Sequence, residues 1–151
     1  MLGARKLNPT KACLVIDSGT ATTIDFFTSD GQHRGGFIAP GLPMMANSLF
    51  EKTDGVSGRW QIDDEINFGV NTEDGVNKAS FLATIGLIEN AKSIALNQYL
   101  EPGEELQVYI TGGNGLKLSQ QLIGENHYVE NLVFLGLASY ALQDNHSKKK
   151  I

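Results

Sequence analysis

The chain has one cysteine, four prolines, fewer basic side chains (12) than acidic ones (17), and no apolar stretch approaching the roughly 20 residues that span a bilayer. Each shortage excludes something. A lone Cys13 cannot form an intrachain disulfide, and its place inside the apolar run Ala12 to Ile16 suits a small buried side chain in a reducing, cytoplasmic compartment. A formal net charge of -5 excludes a partner bound through its phosphate backbone, so nucleic acid is not expected. Met1 is followed by no long apolar segment, so neither secretion nor membrane insertion is expected. The single basic run, Lys148 to Lys150, reads as a solvated end, and residues 147–151 are expected to be a disordered basic tail.

What the chain does hold is glycine, 17 of them, many in pairs or beside Ser, Thr and Asn, as in tight turns and ligand loops. Its length and 41% hydrophobic content suit one core and one domain, over residues 1–146. Residues 12–16, 22–28 and 35–39 are rich in apolar, β-branched or aromatic side chains, and turn signals separate them. They predict an antiparallel meander. Pro40 and Gly41 close it, and residues 42–52 fit a short amphipathic helix. Residues 53–70 read as a surface loop.

From Thr72 to about Leu100, apolar and small residues recur at helical spacing without a proline. One stripe runs through Val76, Ala79, Ala83, Leu87, Ala91, Ile94 and Ala95, and a second through Phe81, Ile85, Ile88 and Leu96. The two together predict a long helix buried on two sides. Leu106 to Ile110 follows as a strand, Thr111 to Gly115 as a turn, Leu116 to Ile123 as a helix and Glu130 to Leu142 as another. The whole is an α/β domain with a mixed sheet flanked by helices.

Three places carry residues suited to chemistry. In Asp17-Ser18-Gly19-Thr20, Gly19 lets a phosphate approach the backbone, and the hydroxyls of Ser18, Thr20 and Thr22 can donate to it. Asp17 would repel phosphate directly, but it suits a cation that neutralises phosphate. An ordinary hairpin using Asp, Ser and Gly for local hydrogen bonds fits the same residues equally well. Thr111-Gly112-Gly113-Asn114-Gly115 lies between a strand and a helix, at the sheet end where α/β folds bind ligands, without matching a Walker A loop or a dinucleotide fingerprint. A plain turn with Asn114 as helix cap is the alternative. Thr72, followed by Glu73 and Asp74, reads first as a helix N-cap with acids in the first turn. His33, His127 and His146 share no ligand spacing with Cys13, so no zinc site is expected, and no nucleophile triad is present.

In order, DSGTATTID, GGFIAPGLPMM, NTEDGVN at the start of the long helix, TGGNG and VENLVFLGLASYAL resemble the type III pantothenate kinases over nearly the whole chain. The resemblance implies a ribonuclease H-like, actin-like ATPase domain that phosphorylates pantothenate with ATP and Mg2+, the first step of coenzyme A biosynthesis. It further implies a cytoplasmic homodimer, joined through the long helix, that needs a monovalent cation such as K+ or NH4+. On this sequence it makes Asp17 the cation ligand, Thr20 with Gly19 an ATP contact, Gly112 and Gly113 neighbours of the adenosine, and Thr72 a contact to pantothenate. The family's Asp-x-Gly-Asn-Thr phosphate loop and Gly-x-Asp-Arg motif occur nowhere in these residues. The general-base Asp is therefore expected upstream of Met1, no catalytic residue is assigned here, and the chain is expected to be the C-terminal half of the kinase, inactive alone. The alternative is a non-catalytic nucleotide-binding or dimerisation module, or an accessory regulator, of the same fold.

Overall fold

A computed structural model describes residues 2–61 and 65–138. The expected tail at 147–151, and the end of the helix expected over 130–142, lie outside these described residues. The chain runs through α1 (Leu2–Leu7), β1 (Ala12–Ser18), β2 (Ala21–Phe27), β3 (His33–Pro40), α2 (Leu42–Lys52), α3 (Thr72–Gln98), β4 (Leu106–Thr111), α4 (Gly115–Gln121) and β5 (His127–Tyr128). Residues 132–138 are helical.

The five strands form one sheet in the order β3-β2-β1-β4-β5. β1, β2 and β3 make the antiparallel meander, while β4 joins β1 in parallel and β5 joins β4 in parallel. The parallel pairing requires a long crossover, which α2, the 53–70 segment and α3 supply. Central β1 is buried on both faces, so its apolar run is continuous and not alternating. Ala12, Leu14 and Ile16 point into a core shared with α2, α3 and α4, built around Leu42, Phe81, Ile88 and Leu118. Cys13 and Val15 point the other way, onto a smaller core with Ala4 of α1, Phe27, Tyr109 and Leu132. There α1 lies close against the helix at 132–138, because a Cβ on Gly3 would stand 2.1 Å from the Leu132 carbonyl oxygen.

One expectation about the helices needs correction. α3 buries one face only: Phe81, Thr84, Ile88, Ala91 and Ala95 enter the core, whereas Ala79, Leu82, Ala83 and Leu96 face outward. A sheet offers a helix one flat surface, so each expected stripe is divided: Phe81, Ile88, Ala91 and Ala95 are covered, while Ala79, Ala83 and Leu96 stay open. In α2, Leu42 and Ala46 are the buried positions, while Met44 and Leu49 are about half exposed.

The 53–70 segment has no regular secondary structure among its described residues, but it is anchored. Arg59 N donates to Glu73 Oε1 at 3.0 Å, Val70 N to Asp74 Oδ2 at 2.9 Å, and Asn77 Nδ2 to the Arg59 carbonyl at 3.0 Å. Trp60 packs against the main core. The acids that open α3 thus hold the preceding segment as well as suiting the helix dipole.

Candidate nucleotide cleft

β1 and β4 run in parallel with Asp17 beside Thr111, so the β1–β2 turn and the β4–α4 turn leave the sheet at the same end. Their contact is close. Asn114 N donates to the Ser18 carbonyl at 3.1 Å, and Gly112 adopts φ +92°. A Cβ on Gly112 would stand 2.5 Å from the Ser18 carbonyl oxygen, a separation no side chain tolerates. Glycine is demanded here twice, by the left-handed backbone and by the approach of the two turns.

A third element closes the group. Gly41, the residue before α2, donates its N–H to the Thr20 carbonyl at 2.9 Å. A Cβ there would meet the carbonyl oxygens of Gly19 and Thr20 at 2.2 and 2.5 Å. Between the β1–β2 turn, α2 and the β4–α4 turn lies an open cleft of about 500 Å3, lined by Gly19, Thr20, Pro43, Asn47, Glu51 and Asn114 among others. That is within the usual range of about 300–1,000 Å3 for small-molecule sites. Pro43, in the first turn of the 11-residue α2, lies on its wall, placing an unpaired helix N-terminus where anionic ligand groups are favoured.

The sequence-derived candidates fall into three groups. Gly19 and Thr20 line the cleft directly, and Thr20 is exposed. Asp17 and Gly112 do not line it but form the junction beside it, and Gly113 follows in the same turn with nothing within 4 Å of where a Cβ would stand. Thr72 stands apart, exposed at the first turn of α3 and lining none of the pockets described. It is not the helix cap: Asn71 is, with Oδ1 accepting from Asp74 N at 2.9 Å, so the capping role expected for Thr72 falls one residue earlier. Asn114 does stand at the N-cap of α4, as the plain-turn alternative had it, though its side chain makes no capping bond.

Two hydroxyls expected to face a phosphate do not. Ser18 and Thr22 are fully buried, and their hydroxyls bond to one another at 3.2 Å across the β1–β2 pair. Register decides this, since Ser18 sits opposite Thr22. Only Thr20, at the tip of the turn, is free to reach a ligand. The polar face of α2, with Asn47, Ser48, Glu51 and Lys52 in the cleft wall, went unassigned from sequence. Its signal was present, because these positions lie on the side of the helix away from buried Leu42 and Ala46.

Asp17 is half buried and makes no hydrogen bond or ion pair among the described residues. A carboxylate in that condition fits a cation. No group of three or more His, Cys, Asp or Glu side chains gathers to hold a metal among the described residues.

Comparison with known proteins bears on the family and the fold. A sequence model of the type III pantothenate kinase family matches residues 1–93. The type III pantothenate kinase of Colwellia psychrerythraea is 35% identical across 93% of this chain and 59% of its own length. That of Pseudoalteromonas translucida is 38% identical across 99% of this chain and 60% of its own length. The chain thus spans about three fifths of these relatives. Among solved structures, a Campylobacter jejuni protein assigned to the Baf family of transcriptional activators superposes with a TM-score of 0.69 at 22% identity, covering 95% of this chain and 63% of that one. A Sinorhizobium meliloti protein assigned as a 2-dehydro-3-deoxygalactonokinase gives 0.57 at 16% identity, over 93% and 56% of the two chains. At such identities the structures speak for the fold alone, a mixed α/β sheet flanked by helices.

Proposed function

Because the chain belongs to the type III pantothenate kinase family, we propose that it forms the nucleotide-holding part of an enzyme that transfers a phosphoryl group from ATP to pantothenate, giving 4'-phosphopantothenate. The observation that carries this reading is the close seating of Gly112 against Asp17 and Ser18, which joins two turns distant in sequence beside one cleft. Phosphoryl transfer depends on positioning and charge neutralisation more than on covalent help from the protein, and this junction is built to position.

In this reading Gly19 and the Thr20 hydroxyl contact the phosphates of ATP, and Gly112 and Gly113 let the adenosine lie against the backbone. Asp17 holds a monovalent cation, K+ or NH4+, whose charge offsets the phosphates, and Mg2+ accompanies the nucleotide. Thr72 meets pantothenate from α3. A homodimer joined through α3 would cover Leu82 and Leu96, which are otherwise about half exposed. Residues 1–146 act as one half-domain in the cytoplasm. The family's Gly-x-Asp-Arg base is not among these residues, so the 151-residue polypeptide by itself binds ligand with negligible turnover.

Calorimetric titration with a non-hydrolysable ATP analogue and Mg2+, in KCl and then in choline chloride, tests the reading. The expected result is binding that K+ strengthens. Nucleotide binding indifferent to the cation, or none, would favour a non-catalytic module of the same fold. Steady pantothenate-dependent ADP formation by these residues alone would overturn their proposed inactivity.

A further inference from the structure

Away from the nucleotide cleft, β3 carries Gly35 and Gly36 where it passes beneath the C-terminal half of α3. The helix presents Ala91 and Ala95 to the same place. Two residues without side chains face two with only a methyl, and the gap between them is a cavity of about 70 Å3. Its floor is the core itself, since Leu14, Ile24 and Phe26 line it and are all buried. The gap is fixed by the backbone. A Cβ on Gly36 would stand 1.9 Å from the Ile24 carbonyl oxygen, and Gly35 adopts φ +107°. A bulge between Phe26 and Phe27 in the β2–β3 pairing imposes this local path.

The wall of this apolar cavity also includes Arg34, which is exposed and makes no hydrogen bond or ion pair among the described residues. Asp30, on the preceding turn, feels the Arg34 charge but spends its carboxylate on Thr28 and on the Gln32 N–H. Tyr99 adds an aromatic wall, its ring 5.2 Å from that of Phe26.

From these features we infer a second ligand site, taking a small carboxylate with an unbranched apolar tail: the tail fills the space over Gly35 and Gly36, and the carboxylate pairs with Arg34. At about 30 Å3 per water-sized unit, the cavity takes roughly the last two or three carbons of such a tail, and the rest lies across its open mouth. An apolar cavity alone would take an uncharged guest equally well, whereas an exposed arginine in its lining, without a bonded partner among the described residues, selects an anion of planar, bidentate shape. The site shares no lining residue with the nucleotide cleft, so it stands or falls independently of the proposed kinase reading.

The test is an amide chemical-shift titration of the full chain with sodium hexanoate, with hexanol and acetate as matched probes lacking the charge or the tail. Saturable shifts are expected at β3 and the 91–99 end of α3, with hexanoate the tightest of the three. Arg34→Gln, a surface change, should weaken hexanoate about tenfold and leave hexanol unaffected. Ala95→Leu should abolish both by filling the space. The site is refuted if hexanoate binds no more tightly than hexanol, if Arg34→Gln binds like the parent chain, or if the shifts map elsewhere.

Discussion

A Cβ on Gly112 would stand 2.7 Å from Oδ1 of Asp17, so the glycine of one turn is the lid on the carboxylate of the other. The first prediction follows from that contact. Gly112→Ala must relieve a clash with backbone and side chain while holding φ +92°, and should destabilise the fold by about 1–3 kcal/mol. Gly113→Ala meets nothing within 4 Å and should leave stability nearly unchanged. Thermal unfolding of the two variants side by side checks this, and equal effects would show that the junction yields.

Asp17→Asn separates structure from cation binding. The carboxylate has no protein partner among the described residues, so losing its charge should move stability by less than about 1 kcal/mol. Potassium dependence of nucleotide binding should disappear. If the variant keeps the parent's response to K+, the cation is held elsewhere.

At the start of α3, two neighbouring residues should behave oppositely. Asn71→Ala removes the bond to Asp74 N and should cost about 1 kcal/mol of stability. Thr72→Ala, at an exposed position inside the first turn, should be nearly neutral in unfolding but should weaken pantothenate binding in a complete, active enzyme. Equal stability losses would reassign the cap.

Alkaline pH should weaken the fold through the smaller core. Burial raises the Cys13 thiol above its ordinary value, and burial followed by the nearby Cys13 raises the Tyr109 hydroxyl. Raised native values mean that above the ordinary pKa of each group the unfolded chain sheds protons which the native chain keeps. Stability is therefore full at neutral pH and falls as pH climbs past about 9 towards the native values. Urea midpoints between pH 7 and 10 should decline in the parent chain and decline less in Cys13→Ala. The same burial should make Cys13 slow to alkylate at pH 8, and rapid labelling of the native chain would contradict it.

Much of this architecture is legible from residue patterns. The meander, α2 and α3 follow from strand-type runs, glycine punctuation and helical periodicity, and their observed bounds differ from the expected ones by two residues or fewer at most ends. Strand β5 is a pair of residues, His127 and Tyr128, too short for any periodic signal, and gains its identity only by lying beside Tyr109 and Ile110. The one-sided burial of α3 was hidden because Ala83 and Leu96 look as apolar as Ala91 and Ile88, and only the sheet decides which face is covered. Ser18 and Thr22 misled for a related reason. Residue type gave them hydroxyls suited to phosphate, while strand register turned those hydroxyls inward upon each other.

The parallel seam between β1 and β4 has a consequence for how the protein comes to exist. The meander is made of neighbours in sequence and can assemble as soon as it is synthesised, but Asp17 meets Gly112 only after the entire crossover has been made and folded back. No nascent or partly assembled form that lacks β4 can own this junction. Cation-linked nucleotide binding, where it occurs, would therefore report completed folding, and ligand in the cell would stabilise only molecules that have finished the journey.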